Sequence, residues 1–380
     1  MAFFTRNTET LTGPVAFAMG APKWRFELAD LTGTALGDLT QARDRKITQQ
    51  LVKPTTIEFT LDTFHPEVYD LLYNQHVYIK AYRENQLITT CETTALQVIG
   101  QGEERSIRVV ATEAPWVMLM KRLIGKSTAG ITMEDMDRST MAQVIVFFVN
   151  LEATSKVEVG SVMSAGSTAT ATFTYKRAME AITELGAPLN GFDWWFTPTE
   201  PSTGTVGRLN IAPIRGGYRP NAVFEYGTGR ANAREYEWRI ALGDRISRAY
   251  SLPPSYPKNS GLVVASSVDT ATELNIGRRE DLIESDLGDA AGDLRQALTD
   301  EAVSIRKNPK NVFLIQPAPN DDTGRVPQYL LDYDVGDIIE GRVQDQDILM
   351  LDALVRVYGV EVELDDLGNE QITLGLVQEE

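Results

Sequence analysis

Cysteine and histidine are the residue types that this chain has least of. Its 380 residues contain one cysteine, Cys91, and two histidines, His65 and His76. A single cysteine excludes an internal disulfide framework. A Cys/His metal site would need all three residues, and they show no recognised ligand spacing. The sequence therefore predicts neither a metal ion nor another cofactor, and Cys91 is interpreted as a small buried hydrophobic residue.

Long apolar runs are also missing. The longest is Val144–Val149, six residues, whereas a helix that spans a bilayer needs roughly 18. The first residues lack the charged and apolar stretches of a secretory signal peptide. We expect a soluble protein, made in the cytoplasm and without a membrane anchor.

Recognisable catalytic motifs are scarce. Gly125-Lys126-Ser127 matches the end of a phosphate-binding loop, but the glycine required five positions earlier is replaced by Met120. Asp332–Asp337 resembles a calcium loop only superficially, because glycine falls at the wrong position and no helices flank it. No pair of carboxylates is singled out among the 53 acids. Serine–histidine or cysteine–histidine catalysis stays open, since such partners meet in space. The sequence predicts no catalytic residue and a protein that is not an enzyme.

Negative charge is concentrated near the C-terminus. Residues 281–380 contain 23 Asp and Glu against 7 Lys and Arg, which is a net charge of -16. The net charge of the whole chain is -17, so nearly all of it lies in this segment. Such a segment repels polyanions, because binding to phosphates depends on neutralisation by basic side chains. We expect no stable binding to nucleic acid.

Strand patterns dominate both ends of the chain. Trp24–Leu28, Thr56–Leu61 and Val77–Thr90 alternate between apolar and polar residues, with turn residues between them. Val355–Leu364 alternates, Asp365–Asn369 is a turn sequence, and the following residues alternate again. Period-two alternation bounded by Asp, Gly and Asn predicts hairpins.

Helical patterns lie between these strands. Thr132 with Asp135 resembles a capping box and predicts a helix through Phe148. Tyr175–Leu185 and Asp281–Lys307 predict two more helices, whereas Trp116–Ile124 is interpreted as a short buried segment. Residues 251–262 contain three prolines and are expected to form a linker.

Two apolar clusters are candidate functional surfaces. Val146, Phe147 and Phe148 lie in the most apolar stretch, which we expect to be buried against another domain or another copy of the chain. Trp194 and Trp195 could stack on a sugar, although an aromatic strand is more often part of a core.

Three stretches carry a resemblance to a known family. They are the strands from Trp24 to Leu61, the helical middle that leads to Leu185-Gly186 and Phe192–Phe196, and the ending from Tyr333-Asp334-Val335-Gly336-Asp337 to Glu370. The layout resembles the baseplate or tail-tip hub of long-tailed bacteriophages, in particular the minor tail proteins of siphophages that infect actinobacteria. The likeness covers most of the chain, and its motifs are structural.

The resemblance implies a fold and an arrangement of domains. The fold class is α+β and β-rich, with two β-barrel-like hub domains and helical and strand-rich insertions. The expected segments are a hub barrel (1–125), a helical domain (126–190), a β-rich domain (191–265), a linker with a helix (266–310) and an acidic β domain (311–380).

The resemblance also implies a function. Three chains would form a ring at the distal end of the tail tube, with six barrels in all, and line part of the DNA exit channel in the virion. The expected partners are the distal tail protein ring, the tape measure protein and other minor tail proteins. Two alternatives stay open: a tail-associated cell-wall hydrolase and a carbohydrate-binding receptor module.

Overall fold

Strands make up most of the structure. The computed structural model describes residues 24–61, 69, 72–73, 76–101, 104–151, 156–187, 191–199, 204–227, 231–252, 265–283, 292–308, 310–319, 326–346, 348–365 and 368–378. The helices are α1 (Ala114–Met120), α2 (Arg138–Leu151), α3 (Ala178–Gly186), α4 (Thr270–Ile276) and α5 (Gly292–Arg306). Each helix within these ranges is too short or too polar to cross a bilayer. The prediction of a β-rich α+β fold is confirmed.

The first part of the chain forms what we call the N-terminal half-sheet. Its strands run in the spatial order β3-β4-β7-β6-β5-β1-β2, and all neighbours are antiparallel. Glu84 and Asn85 both have positive φ and form the predicted β5–β6 turn, as in tight hairpins. The strands are β1 (Trp24–Ala29), β2 (Ala35–Asp38), β3 (Ala42–Gln50), β4 (Thr56–Leu61), β5 (Tyr78–Arg83), β6 (Gln86–Gln101) and β7 (Glu104–Glu113).

Two segments of the second part form the C-terminal half-sheet. Its strands are β15 (Tyr218–Tyr226), β16 (Ala233–Ala241), β20 (Lys310–Pro317), β21 (Ile338–Asp345), β22 (Ile348–Leu364) and β23 (Glu370–Gln378). Their spatial order, β16-β20-β23-β22-β21-β15, repeats the order β3-β4-β7-β6-β5-β1. One difference is that β15 and β21 are parallel, whereas β1 and β5 are antiparallel. The two half-sheets thus share one strand order and differ in the direction of one strand.

The acidic hairpin at the C-terminus forms as predicted. Strands β22 and β23 pair in antiparallel fashion from Leu364 opposite Glu370 onward. The turn is closed by Asp365, whose carboxylate accepts a hydrogen bond from the backbone N–H of Asn369 at 2.8 Å. Gly368 takes a φ of +83°, a conformation that glycine adopts without steric cost. Local turn chemistry therefore sets the end of β22.

A middle region, residues 114–212, lies between the half-sheets in the chain. Helices α1, α2 and α3 pack there against three small sheets and share one apolar core, which includes Ile145, Phe173 and Ile182. The strands are β8 (Leu123–Ile124), β9 (Ile131–Asp137), β10 (Lys156–Val162), β11 (Thr168–Phe173), β12 (Lys176–Arg177), β13 (Asp193–Thr197) and β14 (Thr205–Ala212). The predicted helix near Tyr175–Leu185 is α3.

A smaller region interrupts the C-terminal half-sheet between β16 and β20. It contains β17 (Arg248–Ser251), β18 (Ala265–Val268), β19 (Glu280–Leu282), α4 and α5. Most of the predicted linker at 251–262 lies outside the described residues. The predicted helix at Asp281–Lys307 is observed as α5, which starts later, at Gly292.

The predicted capping box at Thr132 is wrong. Residues Ile131–Asp137 form β9, which pairs with β11, and the helix begins at Arg138. Asp137 takes the capping role: its carboxylate accepts hydrogen bonds from the backbone N–H groups of Ser139 (3.0 Å) and Thr140 (3.2 Å). Pairing with a strand 31 to 42 residues away overrides the local signal at Thr132.

The two half-sheets are joined edge to edge by β3 and β22. The antiparallel pairing extends from Gly359 opposite Gln50 to Leu364 opposite Arg45. One apolar core then runs beneath both half-sheets and includes Ile47, Ile57, Val362 and Leu376. The strand path of the described residues is open and ends at β16 and β2. The five-segment division predicted from the sequence stays a prediction.

A buried ion pair fastens this joint. Arg83 on β5 donates to both carboxylate oxygens of Glu370 on β23, at 2.8 and 3.2 Å, and to the backbone oxygen of Tyr329 at 2.8 Å. The indole N–H of Trp24 donates to the same carboxylate at 2.9 Å. The side chains of Arg83 and Glu370 are 8% and 6% exposed. The charges are therefore removed from water and depend on each other.

Glu113 is a second buried acid and lies between β7 and α1. Its carboxylate accepts a hydrogen bond from the backbone N–H of Thr55 at 3.1 Å. Burial raises the pKa of Glu113 to about 7, although the hydrogen bond from Thr55 and the charge of Arg215 act in the opposite direction. The folded state therefore favours the neutral form of this carboxyl group.

We predict that Glu370→Gln lowers the free energy of unfolding by about 3 kcal/mol, because it leaves the buried Arg83 charge without a counter-ion. Urea unfolding at neutral pH measures this change. Glu363→Gln is the matched control, since Glu363 is half exposed on β22 and should cost no more than about 0.5 kcal/mol. Equal losses in the two variants would contradict a structural role for the ion pair.

Glu113→Gln is expected to remove a pH dependence of stability. The pKa of Glu113 rises from 4.5 to about 7 on folding, so between these values the folded state binds more protons than the unfolded state. The free energy of unfolding should therefore fall as pH rises through this window, by up to about 3 kcal/mol relative to Glu113→Gln. Urea unfolding of both proteins at pH 5 and pH 8 measures the difference. Parallel pH profiles would show that Glu113 does not titrate in this way.

Candidate functional site

Helix α2 exposes aromatic side chains on the surface of the middle region. Phe147 is 60% exposed and packs edge to face against Phe148, with 6.1 Å between ring centroids. Leu151 is exposed one turn later. Val146, by contrast, is fully buried in the core of the middle region. The structure brings Phe147 and Phe148 together and places Val146 on the opposite face, and their role as an interface stays a prediction.

The two tryptophans of β13 have different surroundings. Trp194 is 2% exposed and packs against Phe196 in the core of the middle region, so its ring faces are not accessible to a ligand in this structure. Trp195 is half-buried, and the guanidinium of Arg215 lies 5.6 Å from its ring centroid. Glycan contact stays a prediction, for which only Trp195 offers any exposed surface.

Arg215 belongs to a polar cluster that ties the middle region to the C-terminal half-sheet. Its backbone N–H donates to the Asp193 carboxylate at 2.7 Å, and its guanidinium lies 3.4 Å from the Asp334 carboxylate. Arg356 on β22 forms an ion pair with Asp193 and donates to the backbone oxygen of Arg215 at 3.1 Å. The cluster thus holds β13 against β22.

The acids of the predicted turn at Asp332–Asp337 take part in this scaffold. Asp337 is buried and accepts hydrogen bonds from the backbone N–H groups of Gly217 and Asp334, both at 2.9 Å, and from Arg219 at 2.8 Å. A carboxylate with these partners is already satisfied by donors. Asp337 therefore holds the loop before β21.

Cys91 and His76, the cysteine and the histidine within the described residues, have different surroundings. Cys91 is fully buried on β6, and burial raises the pKa of its thiol. His76 is exposed and lies 3.2 Å from the Glu92 carboxylate, whereas His65 is outside the described residues. In the described part of the chain, no three His, Cys, Asp or Glu side chains group together as metal ligands.

Two opposite charges, the half-buried Glu301 on α5 and Arg138 on α2, act on each other. Burial raises the pKa of Glu301 to about 7, and the charge of Arg138 lowers it in part. Arg138 is itself buried at the start of α2. Sequence reasoning missed this pair and the Arg215 cluster, because their members are far apart in the chain and carry no motif.

Comparisons with known proteins give structural likeness only. No protein-family model and no curated protein matches the sequence. A 43 kDa tail protein of prophage MuSo2 from Shewanella oneidensis matches with a TM-score of 0.61 and 12% identity, covering 94% of this chain and 98% of that protein. The tail protein from Neisseria meningitidis MC58 matches with a TM-score of 0.57 and 12% identity, covering 94% and 97%.

A third match extends the same fold to another source. Prophage tail protein gp18 from Listeria monocytogenes EGD-e has a TM-score of 0.52 and 10% identity, covering 93% of this chain and 94% of that protein. At such identities the likeness shows the fold alone. Over nearly its whole length, this chain has the fold of phage tail proteins.

Proposed function

We propose that this chain is a structural component of a phage tail, specifically a siphophage tail-tip hub in which three copies form a ring. The ring would lie at the distal end of the tail tube, in the virion. Its partners would be the distal tail protein ring, the tape measure protein and other minor tail proteins. The likeness in fold to three phage tail proteins over nearly the whole chain supports this proposal.

The observation that carries the proposal is the repeated strand order of the two half-sheets. One chain contains two units with the same strand order, joined edge to edge through β3 and β22. Three chains would present six such units and so match a sixfold tail ring. Closed rings are the usual result when subunits associate head to tail with a rotation that closes.

The acidic C-terminal strands suit a passage for DNA. Glu361 and Glu363 on β22 are partly exposed, and both contact Lys46 on β3, at 2.6 and 3.6 Å. We infer that acids of residues 321–380 line the channel of the ring and repel the phosphates of passing DNA. A wall of this kind lets DNA slide because it does not bind it.

The purified chain is expected to form a particle of three times 42.1 kDa with threefold symmetry and a central channel. Light scattering gives the mass, and negative-stain class averages of the same sample give the symmetry. A ring with another number of copies, or a chain that stays monomeric in solution and in the assembled tail, would contradict the proposal.

Weak interaction with DNA is a second expectation. At about 0.15 M salt, adding the protein should leave the fluorescence anisotropy of a labelled DNA duplex unchanged, because the acidic strands oppose phosphate binding. A saturable rise in anisotropy that weakens with added salt would show a basic binding surface and would contradict a repelling channel.

A further inference from the structure

Two strand edges in this chain are exposed and lack a neighbouring strand among the described residues. Strand β6 pairs with β5 only as far as Glu92. Over Ala95–Gly100, β6 therefore pairs with β7 on one side, and its other edge, the one that faces β5 earlier in the strand, is open. Strand β16 pairs with β20 on one side, and its other edge is open over Tyr236–Ala241. Open edges of this length invite pairing with another strand.

Apolar side chains are exposed on both edges. Val98 is 51% exposed and Ile99 is exposed beside it on β6. On β16, Trp238 is 40% exposed and Ile240 is exposed two residues later. Exposed apolar residues clustered on an open edge mark an interaction site more often than scattered ones do.

The pairing of β3 with β22 within the chain provides a geometry by which these two edges can pair with each other. In β22, residues up to Arg356 pair with β21, and Gly359–Leu364 then pair through the same edge with β3. Because the two half-sheets share one strand order, β22 corresponds to β6 and β3 corresponds to β16. The open parts of β6 and β16 are therefore the counterparts of the two strands that form the internal joint.

Register shifts in the ladders guide the residue-by-residue correspondence. The first shifts lie between Ala81 and Tyr82 in the β5–β6 ladder and between Val343 and Gln344 in the β21–β22 ladder, and from there to the next shift β22 is two residues longer than β6. The alignment over the open edge therefore follows the second shift. The β6–β7 ladder shifts between Thr93 and Ala95, and the β22–β23 ladder shifts between Val357 and Gly359. Ala95 on β6 thus corresponds to Gly359 on β22, the first residue of the joint.

The correspondence between β3 and β16 follows from the residue pairs in the strands next to them. Lys46 on β3 lies opposite Glu58, and Glu58 lies opposite Val110 on β7, which faces Ala95. Glu237 on β16 lies opposite Leu314, and Leu314 lies opposite Gly375 on β23, which faces Gly359. Lys46 therefore corresponds to Glu237, and Ile47 corresponds to Trp238.

We propose that the β6 edge (Ala95–Gly100) of one copy pairs in antiparallel fashion with the β16 edge (Tyr236–Ala241) of a second copy of this chain. The inference deepens the proposed ring and rests on it. By the register of the internal joint, Val98 lies opposite Trp238, Leu96 opposite Ile240 and Gly100 opposite Tyr236. Each copy offers one edge of each kind, so the contact is head to tail and can close into a ring.

The side chains fit this register. In the internal joint, Val362 lies opposite Ile47 and both are buried, and their counterparts Val98 and Trp238 are both apolar. On the other face, Arg239 is already paired with Glu237 at 2.6 Å and would lie opposite the neutral Gln97. No like charges oppose each other, so the pairing incurs no repulsion between facing residues.

Disulfide cross-linking tests the register. Residues opposite each other in an antiparallel pair have Cα atoms about 4.5–5.5 Å apart, within the range that a disulfide bridges. A chain with Val98→Cys and Trp238→Cys should cross-link under mild oxidation into covalent trimers, and the buried Cys91 does not compete. Ile99→Cys with Trp238→Cys is the matched control, because a shift of one residue puts the thiols on opposite faces.

Trp238→Lys tests the interface without a cross-link. It should convert the particle to monomers at concentrations at which the unmodified chain is trimeric, with unchanged circular dichroism as the check on folding. Leu274→Lys, at an exposed leucine on α4, is the control and should leave the trimer intact.

The possible results separate the two proposals. Trimers that form but do not cross-link at Val98 and Trp238, or that persist in Trp238→Lys, overturn this interface and leave the proposed ring standing. A chain that never forms trimers overturns both. Cross-linked trimers from the matched pair, with none from the shifted pair, support both the interface and its register.

Discussion

The antiparallel pairing of β3 with β22 is the interaction on which the rest of the structure depends. It converts two half-sheets, built from residues far apart in the chain, into one sheet over one core. Val362 and Ile47 are buried there, and the Arg83–Glu370 ion pair lies beside it out of water. Because a buried charge without its partner is costly, separating the two half-sheets would leave Arg83 and Glu370 uncompensated.

The middle region and the smaller region are both attached to the C-terminal half-sheet. The middle region is anchored to β22 by Arg356 and Asp193, and the smaller region inserts between β16 and β20 without breaking their ladder. In the proposed interface, the open edges of β6 and β16 pair between copies as β22 and β3 pair within the chain. A single pairing geometry, used once within the chain and once between chains, would be enough to build the ring.

Local patterns in the sequence predicted the parts that depend on neighbours in the chain. The hairpins at Asn85 and at Asp365–Asn369 follow from turn residues and alternation, and α3 follows from its period and its glycine end. The start of α2 was predicted wrongly, because β9 pairs with β11 and leaves Asp137 to cap the helix. Trp194 could not be assigned to the core or the surface from its strand pattern alone, since the choice depends on what packs against β13.

The repeated strand order shows no pattern in the sequence itself, and the expectation of two barrel-like domains came from the family resemblance alone. The insertion between β16 and β20 breaks the spacing, and equivalent positions such as Ile47 and Trp238 differ in side chain because one faces its own chain and the other is exposed. Which edges stay open depends on strand order, and strand order is set by contacts between distant residues. The Arg215 cluster was missed for the same reason.

A cryo-EM map of the assembled particle, at a resolution that separates strands about 4.8 Å apart, tests the central claim most directly. The account predicts six equivalent strand joints around the ring, three within chains at β3–β22 and three between chains at β6–β16, each with continuous main-chain pairing. Three paired joints that alternate with three subunit boundaries without strand pairing would contradict it.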